Sequence, residues 1–269
     1  MPNAALTPPR IYAISFGSDR QYEIFAYDLL RELSLSYPSI SFKIFTRDHL
    51  PPPVSSKAAE FKTGFGYFVW KPWVVSTAIS QLNDGDILLY VDGRSGLRNP
   101  GQPIKWLDAF VQDTRCDLAA WQMSHLESLW STGDLIDSLE MSDEAALQVG
   151  QYAATFHAWR INERTRGLAE SWYQFMMDNF QLCRNEPSLR PNHAEFRENR
   201  HDQSVFSLML KRKALDGHLN VMTLAEPTVL ADNLLPHRKR HPLPKHIYLR
   251  LCGYWKKILS RLRPAASGL

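Results

Sequence analysis

The 269-residue chain is 44% apolar and 22% charged, a balance that excludes global disorder and fits one large domain or a domain with an appendage. Its net charge is only +3, yet from Pro236 onward there are nine Lys or Arg and no Asp or Glu, leaving 22 basic and 28 acidic side chains before that point. An acidic body with a basic tail argues against nucleic-acid binding by the body and gives the tail an anionic partner of its own.

Cys116, Cys183 and Cys252 are odd in number and far apart, so neither a disulfide framework nor a CxxC metal site can be read from them. No apolar run approaches the roughly 20 residues of a membrane-spanning helix. No basic-then-apolar pattern opens the sequence, and the expectation is a cytoplasmic protein.

In chain order, RIYAISFGSD reads as a strand, RQYEIFAYDLLRELSLSYP as a helix stopped at Pro38, and SFKIFTRD as a second strand followed by the loop HLPPPVSS. Strand, helix and strand within about 40 residues favour a βαβ unit and a parallel sheet. GFGYF fails as a dinucleotide fingerprint and reads as a turn. Pro72 suits the first turn of a helix over WVVSTAISQL, because its missing N–H would be unpaired there anyway. After the turn NDGD, the unbroken apolar run ILLYV reads as a central strand buried on both faces. Asp92 then falls at the carboxyl end of that strand, the edge where open α/β sheets bind ligands. Residues 103–150 read as mostly helical and loop-rich, with a strand at DLAAWQM and a helix or helix pair at DLIDSLEMSDEAALQVG. YAATFHAWRIN is a further strand, and ERTRGLAESWYQFMMDNFQL and DQSVFSLMLKRKAL are helices.

Neither a P-loop, a GxSxG elbow nor an HExxH helix is present, and four polar clusters remain. Asp92 with Arg94 forms a ligand edge or a turn cap. His125, Glu127 and Asp134 fit a surface helix ending at Gly133, and the arginines of HAWRINERTR fit a solvated face. In ENRHDQSVF, Asp202 fits either a helix cap or a functional role.

Together, GFGYFVWKPWVV…LNDGDILLYVDGRSG, HLESLWSTGDL and ENRHDQSVFSLML resemble, over residues 10–235, a family of bacterial glycosyltransferases of polysaccharide and capsule biosynthesis. That family carries GYxxWKP before a gDillYxDaG strand and RHDQSxxSLL near its end. The resemblance implies a single GT-A-type, Rossmann-like α/β domain over residues 1–235 with a mostly parallel central sheet. It also implies a nucleotide-diphosphate sugar donor and a glycan or lipid-linked acceptor.

Carried over by motif, Ser15, Phe16 and Gly17 border the nucleotide, Lys71 approaches phosphate or orients its loop, and Asp134 meets donor hydroxyls. Asp202 and Gln203 are the catalytic pair: Asp202 as general base in an inverting reaction, or both stabilising an oxocarbenium-like centre in a retaining one. Asp92 matches the first aspartate of the usual Asp-x-Asp cation site, but Arg94 stands where the second belongs. Three readings of that departure stay open. Asp92 binds Mn²⁺ or Mg²⁺ with His201 or Asp202; Arg94 itself supplies positive charge to the diphosphate; or Arg94 points to solvent or pairs with an acid.

From 236 to 269, Ile247, Leu251, Tyr254, Trp255, Ile258 and Leu262 form one helical stripe among Lys and Arg, the profile of an interfacial helix. It is expected either to hold the protein peripherally on the anionic inner face of the cytoplasmic membrane, to pack on the body, or to dock the chain onto a protein of a polysaccharide assembly complex.

Overall fold

The computed structural model describes residues 9–141 and 143–237, so the amphipathic helix expected in the tail lies outside the described residues. The chain begins with β1 (Ile11–Gly17), α1 (Arg20–Ser36) and β2 (Ser41–Thr46), the expected βαβ opening. Asp19 caps α1 by accepting from the backbone N–H groups of Gln21 and Tyr22. The expected Pro-rich loop is mostly helix instead. Its prolines occupy the start of α2 (Pro52–Glu60), where no N–H partner is needed, and Val54 and Ala58 are fully buried beyond them.

Next come α3 (Trp70–Ser80), β3 (Ile87–Val91), the short β4 (Gly96–Leu97), α4 (Lys105–Gln112), β5 (Leu118–Leu126) and β6 (Gly150–Arg160). Between β5 and β6 the expected helix pair is two short turns, Gly133–Ser138 and Glu144–Leu147, preceded by another at Glu127–Trp130. The remainder is α5 (Glu163–Asp178), α6 (Asp202–Leu215), β7 (Val221–Ala225), α7 (Glu226–Ala231) and β8 (Leu234–Leu235), which pairs with β4.

The main sheet has the order β2-β1-β3-β6-β5-β7. Pairings β1–β2, β1–β3 and β5–β7 are parallel, while β6 runs antiparallel to both of its neighbours. This is the expected α/β class, a Rossmann-like sheet that is mostly parallel. One face carries Leu88, Tyr90, Ala154 and Trp159 against α3, α5 and α6. The other carries Leu89, Val91, Phe156 and Ala158 against α1 and α4. Burial on both faces explains the unbroken apolar run of β3.

Two expectations fail on burial. Arg160 is not solvated: its guanidinium donates to the carbonyls of Phe110 and Cys116, closing the end of α4. Glu127 is not on a surface helix; it is fully buried. Among the described residues no helix is long and apolar enough to cross a membrane.

Candidate active site

The chain crosses from one side of β1 to the other between β2 and β3, so the carboxyl ends of β1 and β3 flank a topological switch point. Asp92 directly follows β3, and its N–H donates to Thr155 O on β6 at 2.8 Å. Asp202 opens α6 and reaches the same place from 110 residues away. Lys71, in the first turn of α3, joins them: its Nζ lies 2.9 Å from Asp202 Oδ2 and 3.4 Å from Asp92 Oδ1. The same ammonium donates to Ala154 O at 3.0 Å and lies over the ring of Tyr90.

Strained backbone delivers two of these groups. Residues 64–68 all have φ between 50° and 77°, a left-handed turn immediately before α3. That conformation costs roughly 1–2 kcal/mol at each non-glycine residue. Gly66 is required there, because an added Cβ would lie 2.3 Å from Ala58 Cα. The turn sets Phe65 beside Phe16, and Tyr67 against the His201 ring with centroids 4.6 Å apart. His201 itself has φ +58° at the start of α6, and its Nδ1 is 2.8 Å from Cys183 O. Strain at both approaches is held by packing around the cluster, the pattern of a functional site.

Lys71 is 3% exposed. Burial opposes its charge, but the two carboxylates overcome that and hold its pKa above the ordinary lysine value. Asp202 is also buried, and burial outweighs the attraction of Lys71, so its pKa is pushed up to about 6. Tyr90 donates to Asp92 Oδ1 at 2.6 Å and stays neutral, its pKa raised first by burial and then by Asp92. Beneath it, His157 stacks on the Tyr90 ring and accepts from Trp159 Nε1 on its Nδ1; burial and then Lys71 keep it neutral. The cluster thus sets two carboxylates against one ammonium. Asp92, with 26% of its side chain exposed, is the member open to solvent.

The other expected site residues are placed differently. Ser15, Phe16 and Gly17 are all buried in the central strand β1; Phe16 stacks on Trp70 at 3.9 Å, so no side chain of the three lines an open edge. Arg94 is exposed, two residues beyond Asp92. Asp134 does not join the cluster: its oxygens accept from the N–H groups of Leu189 and Arg190, both at 2.7 Å. These bonds lower its pKa and fasten the 184–200 segment along a cavity of about 640 Å³ lined by Thr132, Gln181, Arg184 and Ser188.

The residues present do not fit a divalent-cation site. Asp92 and Asp202 share Lys71, Arg94 cannot ligate, and His201 is turned to Cys183 O and Tyr67 rather than to Asp92. No group of three His, Cys, Asp or Glu that could hold an ion occurs among the described residues.

Sequence reasoning missed a second buried network one turn along α6, because nothing in HLESLW signals burial of Glu127. Its carboxylate accepts from Ser131 and Gln151 on one oxygen and from Ser207 and Lys211 on the other. Gln151 in turn meets Gln203, the neighbour of Asp202. His237 also escaped notice; although exposed, it is desolvated enough to lower its pKa, and it feels the charges of Asp92, Arg94 and Lys71.

No protein-family model matches the chain, and no curated protein does. Solved structures similar to it include a glycosyltransferase involved in glycosylation of the major capsid of PBCV-1, at 9% identity and TM-score 0.49, covering 93% of this chain and 100% of that one. Another is the galactosyltransferase LgtC with donor and acceptor sugar analogues, at 13% identity and TM-score 0.41, covering 78% of this chain and 72% of that one. A third is mouse xyloside xylosyltransferase 1, at 10% identity and TM-score 0.41, covering 80% and 84%. At these identities and scores the likeness transfers no residue role.

Proposed function

We propose that this protein is a glycosyltransferase that moves a sugar from a nucleotide-diphosphate sugar to a glycan or lipid-linked acceptor in bacterial polysaccharide biosynthesis. One observation carries the reading: Lys71 brings Asp92 and Asp202, the two carboxylates of the two most specific motifs, to one point at the carboxyl edge of the sheet. A purely structural Asp92 would cap its own turn, and a purely structural Asp202 would only cap α6.

In this reading the donor enters at the switch point beside Asp92. Positive charge for the departing diphosphate comes from the exposed Arg94 guanidinium, whose planar fork suits phosphate oxygens. Asp202, with a pKa near 6, holds or releases a proton close to neutrality, the property required of a group that takes the acceptor hydroxyl's proton. Lys71 keeps that carboxylate from rising further and fixes its position. The basic tail places the enzyme at the inner face of the cytoplasmic membrane. Loss of binding to anionic liposomes on deletion of residues 246–269 is the expected result, and unchanged binding removes that part.

The test is release of nucleotide from a panel of UDP-, GDP- and CMP-sugars, with and without a glycan acceptor, in Mn²⁺ and in chelator. Turnover that persists in chelator and is lost in Asp202→Asn is expected. A second reading, a non-catalytic sugar-nucleotide-binding relative, draws on Arg94 in the usual aspartate position. Binding of a panel member by calorimetry without turnover would favour it.

A further inference from the structure

The geometry points to Glu127 and Gln151 as positioning residues that fix the amide orientation of Gln203, so that its NH₂ is committed to Gln151 and its carbonyl oxygen is left as the free acceptor. The inference rests on the proposed function for what that oxygen would meet.

Gln151 is fully buried on β6. Its Nε2 lies 2.9 Å from Glu127 Oε1, 3.2 Å from Trp130 O, 3.1 Å from Ser131 Oγ and 3.2 Å from Ser204 Oγ. A carboxylate and a carbonyl can only accept. The two hydroxyls have spent their protons elsewhere: Ser131 donates to Glu127 Oε1 at 2.6 Å, and Ser204 donates to Trp130 O at 2.6 Å. Four acceptors therefore surround one end of the Gln151 amide, and only its NH₂ can occupy that end.

The other end, Oε1, must then face Gln203, where only a donor is tolerated. Gln203 presents its Nε2 at 2.8 Å. Because the amide is planar, this turns Gln203 Oε1 away from Gln151, and that oxygen accepts no hydrogen bond among the described residues. Gln203 is half-buried and follows Asp202 in the chain, so its oxygen is a fixed acceptor left free of donors from the described residues, one residue from the cluster. It suits a sugar hydroxyl or a carbon gaining positive character.

The relay is anchored, not adjustable. Glu127 Oε2 takes Ser207 Oγ at 2.5 Å and Lys211 Nζ at 2.9 Å, and Lys211 also donates to Ala146 O and Val149 O. With the Lys211 ammonium so held and both Glu127 oxygens taken by donors, the Gln151 amide has no alternative orientation.

The test is a mutant cycle on the full chain. Gln203→Glu sets an acceptor-only carboxylate against Gln151 Oε1, which cannot turn while Glu127 is a carboxylate. In the background Glu127→Gln with Lys211→Met, both charges are gone and the acceptors at residues 127 and 131 can become donors, which weakens the constraint on the amide while Trp130 O and Ser204 Oγ remain. The folding-equilibrium penalty of Gln203→Glu, read by urea unfolding, is expected to be roughly tenfold larger in the native background than in the relay-free one. Gln151→Met, which leaves the Glu127–Lys211 pair intact, is the second background if the first does not fold.

Penalties equal within twofold across backgrounds would overturn the relay. A positioning role further requires that the relay-free background lower kcat with the best donor of the UDP-, GDP- and CMP-sugar panel by roughly tenfold while KM stays within twofold; an unchanged kcat overturns it. Should the native protein turn over no donor, the functional reading falls, while the unfolding cycle still decides the relay.

Discussion

Helix α6 carries two buried lysine–carboxylate groups, and they differ in how fully their hydrogen bonds are satisfied. Around Lys211 one ammonium meets one carboxylate, every oxygen of Glu127 is taken by a donor, and two carbonyls complete the lysine. Around Lys71 one ammonium meets two carboxylates, Asp92 opens to solvent, and the ion-paired Asp202 Oδ2 has no hydrogen bond of good geometry. A saturated network fixes neighbouring side chains. An unsaturated one, with a carboxylate shifted to about 6, keeps capacity for a substrate or a proton. Similar residues in a similar setting thus differ in the capacity they keep for a further partner.

The sharpest break in this comparison is Glu127→Ala. It strands the Lys211 charge in the interior and should cost about 3–5 kcal/mol in urea unfolding, whereas Glu127→Gln with Lys211→Met should recover most of the loss. A small loss in the single variant would mean that the network is not saturated. Asp202→Asn should behave in the opposite way, lowering turnover of the best panel donor by roughly 10²–10⁴-fold while leaving folding nearly intact. Gly66→Ala should act on the Lys71 group alone. Its φ of 77° and the clash with the Ala58 backbone displace the left-handed turn, costing about 2 kcal/mol of stability and lowering turnover.

The smallest effect is in pH dependence. Turnover should fall as pH drops below about 6, where Asp202 takes up its proton, and Lys71→Met should move that limb upward because the cation holding it down is gone. The stability sign is the reverse of an ordinary salt-bridged aspartate. The folded pKa exceeds the unfolded one, so between about pH 4 and 6 the folded state binds the proton that the unfolded chain has released. This group's contribution therefore declines as pH rises through that window, and the decline should vanish from urea midpoints in Asp202→Asn.

Much of the frame was legible because burial writes itself into periodicity. ILLYV reads as β3 and DQSVFSLMLKRKAL as α6 from end to end. The βαβ opening was legible for the same reason, and Asp92 follows as the strand-end carboxylate. Short elements escaped: β7 is five residues of a half-exposed edge, and β4 and β8 are two residues each, too brief for any period to show. Position deceived at Ser15, Phe16 and Gly17, which lie on the right strand but are covered by its neighbours. GFGYF was legible as a turn, but not as a left-handed one carrying three aromatic residues, because only the surrounding packing sustains such backbone.

By itself, then, the sequence determined the α/β class, the central strand, the carboxylate at its end and the helix that begins at Asp202, all consequences of local pattern. Only the tertiary structure decided what those carboxylates face. It inserted Lys71 between them, buried Glu127 and turned Asp134 onto a backbone loop. The reason is physical: a side chain's charge state and hydrogen-bond partners depend on how much water its neighbours remove and which groups they supply. Those neighbours come from strands and helices up to 131 residues apart.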